Sequence, residues 1–185
     1  RLGRRPGEFM IRAALTVLLT LCSSLLLVTP ATADPSAKWK RINREDGITV
    51  YSKTVTGSDL VAVRGKTTIK QPLEKVLSVL MTHQRWGEWV DRMSSSKILK
   101  TISTYEYIVY QSFDMPAFVS NRDFVYRGTV TSNAKGQVIL KMSSCKWKSA
   151  PETVGVRAKM MNSRYVLTPK GNDQTHVEVE IHADP

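Results

Sequence analysis

Apolar and polar residues alternate along most of the chain, and the pattern changes to a helical period in one place. Ile48 to Lys53 alternates with period two and predicts a strand, followed by a turn at Thr56, Gly57 and Ser58. Leu60 to Ile69 alternates again: Val61, Val63, Thr67 and Ile69 share one face with Gly65, while Arg64, Lys66 and Thr68 share the other. A glycine on the apolar face permits a bend. Pro72 then stands where a first helical residue belongs, and Leu73, Val76, Leu77, Leu80 and Met81 form one stripe at i, i+3, i+4, i+7 and i+8. This predicted amphipathic helix ends near Trp86 and Trp89. Further strands are predicted over 97–103, 105–113, 122–131, 137–143, 156–167 and 175–182, with turns at 133–136 and 169–173. Residues 115–121 are expected to form a loop, and 147–153 an irregular stretch around Pro151.

Strands joined by short turns make an antiparallel sheet, and a single helix covers its apolar face, so the expected class is α+β. The other face is expected to be wet. In the strand after the 115–121 loop, Arg122, Phe124, Tyr126 and Val130 share the more apolar face, which is expected to point inward. Val138, Leu140 and Met142 should face the same interior, as should Val177, Val179 and Ile181. Packed core and ligand lining demand the same residue types here, so both remain open. Arg122 and Asp123 lie on opposite faces; a structural role, as a salt bridge or as hydrogen bonds pinning the loop before the strand, is the favoured reading of Asp123, and head-group anchoring is an equal alternative for Arg122. Trp86 and Trp89 read as core before they read as a cap. Met115, Ala117, Phe118 and Val119 are apolar residues in a loop. Packing of the loop explains them slightly better than insertion into lipid.

The amino-terminal stretch changes the domain count. Met10 and Arg12 precede an apolar run from Ala13 to Val28, then Ala31, Thr32 and Ala33. A basic start, an apolar core and small residues at −3 and −1 predict a signal peptide cleaved after Ala33, hence export to the periplasm or the extracellular space. Residues 1–33 are read as this leader and its extension, and 34–185 as one domain. The leader removes Cys22 and leaves Cys145 alone, so no internal disulfide is expected. The 185-residue chain has 27 basic and 16 acidic residues, a net +11; residues 34–185 keep 23 and 15, a net +8 over 152 residues.

That charge is scattered. Its densest spots are Lys38 to Arg41 with Arg44, and Lys146 to Lys148. Basic residues beside Trp39 and Trp147 suit single-stranded nucleic acid, but export argues against that partner. They suit a transient contact with anionic lipid head groups equally well. No catalytic set is visible. His83 falls on the helix, and His176 and His182 on a polar strand face with Glu178 and Glu180. A solvated face outweighs a metal site there. No glycine-rich phosphate loop and no nucleophile elbow occur.

One stretch carries a specific likeness. Ser120 to Arg127 (Ser-Asn-Arg-Asp-Phe-Val-Tyr-Arg) resembles the Arg-Asp-Phe-Val strand of the START family, the lipid-transfer domains related to the steroidogenic acute regulatory protein. Gly47 to Tyr51, the helix from Pro72 to the Trp86–Asp91 stretch, Val154 to Ala158 and Val177 to Pro185 follow the family's order over about residues 39–185. The resemblance implies a helix-grip fold, a curved antiparallel sheet around a tunnel for one hydrophobic ligand. It also implies a further C-terminal helix after the Asp-Pro of the last strand. Because the chain stops at Pro185, it is expected to be a fragment. The implied function is non-enzymatic binding, and transfer, of a lipid or other hydrophobic molecule, without a cofactor or metal and as a monomer. Trp89, Met115, Arg122, Phe124, Tyr126, Val138, Leu140, Met142, Val177, Val179 and Ile181 are the expected ligand contacts. A cyclase on a related helix-grip fold is the alternative.

Overall fold

The structure is a computed structural model that describes residues 38–184. The leader expected at 1–33 and the terminal Pro185 lie outside the described residues. One sheet of ten strands dominates. In chain order the elements are β1 (Lys40–Glu45), β2 (Ile48–Thr54), β3 (Val61–Ile69), α1 (Leu73–Met81), a 3-10 helix (His83–Glu88), β4 (Met93–Ser103), β5 (Glu106–Phe113), β6 (Arg122–Ser132), β7 (Val138–Ser144), β8 (Val156–Arg157), β9 (Lys159–Met160), β10 (Ser163–Lys170), β11 (Gln174–Ile181) and β12 (Ala183–Asp184). Nine strands of the large sheet run in the spatial order β1-β2-β3-β11-β10-β7-β6-β5-β4, antiparallel at every step; the tenth, β8, pairs parallel with β6, and β9 and β12 form a separate antiparallel pair. The α+β reading is therefore correct: α1 lies on one face of an antiparallel sheet, with Val76 and Leu80 buried.

Several boundaries differ from expectation, each for a backbone reason. β1 was not anticipated, because its residues are charged or polar apart from Ile42 and its faces are mostly exposed. Its backbone ladder with β2 holds it in place. Pro72 is the N-cap of α1 rather than its first residue, with an extended backbone (φ −61°, ψ 155°). The single strand expected over 156–167 is broken into three. The amides of Val156 and Ala158 bond to Asn121 and Asp123 carbonyls, while those of Met161 and Asn162 bond to the His182 carbonyl. Changing partners breaks the strand. The same change moves His182 off the expected polar face: it is buried, with Nε2 3.2 Å from the Ser58 hydroxyl.

The sheet carries two apolar clusters, one on each face. The larger holds Val50, Val63, Val76, Leu80, Trp86, Trp89, Val109, Leu140, Leu167 and Val177 among others, and lies between the sheet and the helical segment. The smaller, built from Ile108, Tyr110 and Val125, is covered by Cys145, Trp147 and Ala150. The second face is thus not wholly wet, because residues 145–158 fold across it. Within the larger cluster, Gly128 is required by its neighbour: a Cβ there would lie 2.3 Å from the Tyr107 ring. Glycine lets that ring lie flat against β6.

Candidate ligand site

The inner face of β5, β6 and β10 carries three tyrosines. Register places Tyr107 opposite Gly128, Tyr126 opposite Val109, and Tyr165 opposite Leu140 and Val179. All three are buried, Tyr126 with no exposed surface. Burial pushes the three phenols up from their ordinary range, with Tyr107 and Tyr165 adding to the effect on Tyr126. They stay protonated at any physiological pH. Tyr107 donates to the Met81 sulfur at 3.8 Å. The Tyr126 hydroxyl is buried and has no protein partner.

The helical segment closes over these rings. His83 is fully buried, stacked on Trp86 (centroids 5.0 Å apart) and edge-on to Tyr107 at 4.8 Å. Neither ring nitrogen of His83 has a protein partner, and burial lowers its pKa to about 4. Trp86 donates from Nε1 to the Leu80 carbonyl at 3.0 Å, stands 5.0 Å from Trp89 and meets Tyr165 edge-on at 6.3 Å. Toward the start of β6, Phe124 meets Phe113 edge-on at 5.8 Å. Arg122 is half-buried there. Its Nη1 donates to the Ser120 carbonyl, and its Nε is buried without a partner.

Of the residues expected to contact a ligand, Trp89, Tyr126, Leu140, Met142, Val177 and Val179 belong to the larger cluster, and Phe124, Val138 and Ile181 pack against it. Arg122 lies on the same face of β6 at its loop end. Met115 is the exception: it is half-buried in the 114–121 loop and belongs to neither cluster. Its backbone amide donates to Asn121 Oδ1 at 3.0 Å. His83 and Tyr107 were missed. His83 continues the phase of the Val76–Leu80 stripe, and Tyr107 alternates with Val109 and Gln111, so both carried an inward signal.

Asp123, on the other face of β6, is fully buried and structural. It pairs with Arg157 Nε, accepts from the Val154 amide at 2.8 Å, and so holds the 151–158 segment. Glu178 and Glu180 are also structural. Glu178 lies 2.9 Å from Lys66, and Glu180 sits between Arg64 (3.0 Å) and Arg164 (3.1 Å). Burial would raise the Glu178 pKa, but the Lys66 hydrogen bond and the charges of Lys66 and Arg64 bring it below its ordinary value. Among the described residues no three His, Cys, Asp or Glu side chains gather as a metal site.

An antiparallel sheet holding a helical segment on one face, with a long apolar interior, defines a helix-grip domain. A START domain model matches residues 24–185, and the chain belongs to that family, which suggests binding of a lipid or another hydrophobic ligand. The STAR-related lipid transfer protein of Xanthomonas axonopodis is 28% identical, with a TM-score of 0.71 over 80% of this chain and 82% of that one. The lipid transfer and protein localization domain of human StarD13 has the same fold, with a TM-score of 0.71 at 23% identity over 80% of this chain and 75% of that one. An uncharacterised protein of Pseudomonas aeruginosa is 29% identical over 147 residues, 80% of this chain and 72% of the relative.

Proposed function

We propose that this protein binds a lipid against the inner face of its sheet and carries it without chemical change. The observation that carries this reading is the combination on one face of a long apolar surface with buried polar groups that lack protein partners. The apolar surface would desolvate a hydrocarbon at ~25 cal/mol per Å² buried. A cyclase-like activity would need a base beside the substrate. The inner phenols are held protonated, the buried carboxylate of Asp123 lies on the opposite face, and the neutral imidazole of His83 is a weak base, its pKa lowered to about 4, sealed between Trp86 and Tyr107, which favours carriage. Native mass spectrometry of the protein purified without detergent tests this. One bound lipid per chain is expected. A protein that is always empty, and takes up no lipid from vesicles, would contradict it.

The leader pattern supports action outside the cytoplasm, at a membrane surface. Phe118 supports the docking site: at the tip of the 114–121 loop it is fully exposed (107%) and has a left-handed backbone (φ 74°), beside Val119 at 43%. A bulky residue in that conformation is uncommon, and an exposed aromatic side chain gains by entering lipid. Burying a Phe contributes about 1.5–3 kcal/mol. Phe118→Ser is therefore expected to weaken binding to anionic vesicles by about tenfold or more, with no change in melting temperature. Unchanged co-sedimentation would remove the loop from the contact.

A further inference from the structure

The outer face of the sheet collects cations without acids at its β1 edge. Register places Arg41 opposite Tyr51 and Arg44 opposite Thr49, with Ile42 as the extra residue of a bulge between Arg41 and Asn43. A bulge shifts the phase of a strand, so two arginines three residues apart stand on one face. That face is the outer one, because Val50, between Thr49 and Tyr51, belongs to the core. Lys53 follows Tyr51 on it, and β3 adds Arg64 opposite Tyr51 and Lys66 opposite Thr49. The Trp39 ring centroid lies 3.9 Å from the Arg64 guanidinium and 6.0 Å from the Lys53 ammonium, and the Tyr51 ring lies 5.8 Å from the Lys66 ammonium. β2 and β3 contain no acid. The first carboxylates across this face are Glu178 and Glu180 on β11, three strands from β1 and about 14 Å away. Lys66, Arg64 and Arg164 engage them. Among the described residues, Arg41, Arg44 and Lys53 have no acidic partner.

The kind of partner follows from the edge and its charge together. Among the described residues no strand pairs with the far side of β1. An edge strand offers unpaired N–H and C=O groups to a further strand. Its charges reject a second copy, since two β1 edges side by side would set cations against cations. An extended acidic segment meets no such repulsion. Arg41 and Arg44 face residues two apart on β2, so they stand about 7 Å apart along the strand, which is the spacing of alternate residues in an added strand. Residues 1–37 contain two acids, Glu8 and Asp34, and so supply no alternating acidic segment. The opposite edge, β4, carries a similar pair across a bulge, Lys97 opposite Tyr110 and Lys100 opposite Ile108, but β5 beside it adds no cation and one acid, Glu106. We propose that the β1 edge docks an extended acidic segment of another protein, with carboxylates at alternate positions, which adds to the sheet beside β1. Main-chain hydrogen bonds hold the segment, and Arg41 and Arg44 select it. This docking is independent of the lipid site on the inner face.

The test titrates the full chain with two end-capped peptides of one composition, one alternating glutamate with threonine and one with its glutamates in a single block. Fluorescence anisotropy reads the affinity, and hydrogen exchange reads the site. The alternating peptide is expected to bind about fivefold more tightly, and to raise exchange protection in β1 above that of every other strand. Arg41→Glu combined with Arg44→Glu is expected to weaken it by about tenfold or more, while Lys97→Glu combined with Lys100→Glu leaves it within about twofold. Equal losses from the two edge variants would overturn the inference, because the peptide would then follow net charge alone. Binding without new protection in β1, or equal binding of the two peptides, would overturn strand addition. A single-stranded oligonucleotide or a phosphatidic acid vesicle that binds more tightly than the alternating peptide, and loses that binding in the Arg41 and Arg44 variant, would assign the edge to another class of partner and overturn it too. So would no binding of either peptide. Should a variant not fold, the exchange pattern and peptide preference of the unaltered protein decide.

Discussion

Asp123→Ala is expected to lower stability by about 3 kcal/mol, a drop in melting temperature of about 6–12 °C for a domain of this size. The carboxylate has no exposed surface and satisfies two donors, Arg157 Nε and the Val154 amide. Truncating one member of a buried ion pair costs about 3–5 kcal/mol. The lower end applies because the Arg157 side chain is 35% exposed and regains water when its partner leaves. Arg157→Ala should cost at least as much, since it strands the carboxylate with one amide. The double variant should recover part of the loss, a coupling of about 1 kcal/mol or more. The damage should be local first. The amides of Val154, Val156 and Ala158, which bind Asp123, Asn121 and Asp123 in turn, should lose hydrogen-exchange protection before those of β10 and β11. A cost below about 1 kcal/mol for Asp123→Ala would remove this pair as the clamp on the 151–158 segment.

The part of this clamp that was legible in the sequence was its parity. Asp123 and Arg122 fall on opposite strand faces, so a structural role for Asp123 away from the interior, as an ion pair or as a hydrogen-bonding pin, is readable from the sequence. Arg157, 34 residues further on, was not identifiable, because nothing local selects it. The same division runs through the fold. Val177, Val179 and Ile181 alternate cleanly, and Leu73 to Leu80 keeps a helical phase, so their buried faces were readable from period alone. β1 has no such period and is defined by its backbone ladder. The breaks between β8, β9 and β10 depend on whether β6 or His182 supplies the next carbonyl, which no local pattern encodes. Within the site, residue type could not separate a lining position from a packed one. Partnerless atoms on Tyr126, His83 and Arg122 are visible only once their neighbours are placed. Met115 and Phe118 show the limit for loops. Both are apolar in sequence, yet a left-handed turn leaves Phe118 fully exposed and Met115 outside both clusters.

His83 should make the protein acid-sensitive well above the carboxylate range. In the folded chain its ring is sealed between Trp86 and Tyr107 with no acceptor or donor beside it, and burial holds its pKa at about 4 against 6.5 when free. Between those values the unfolded chain binds a proton that the folded chain refuses. Stability therefore falls as pH drops below about 6.5, and the loss is complete near pH 4. The difference of two to three units corresponds to about 3 kcal/mol. Other groups titrate differently. The inner tyrosines are pushed upward, and Glu178 releases its stabilisation only as pH falls through its lowered pKa, beneath its ordinary 4.5. The difference between the parent and a His83 variant over pH 6.5 to 5 therefore isolates this imidazole. His83→Phe keeps a ring against Trp86 and Tyr107 while removing both partnerless nitrogens. It is expected to match or exceed the parent at pH 7 and to gain about 2 kcal/mol on it by pH 5. Denaturant unfolding at the two pH values checks this. Parallel pH profiles for parent and variant would mean that the imidazole finds a partner in solution, and would remove it as the source of the acid sensitivity.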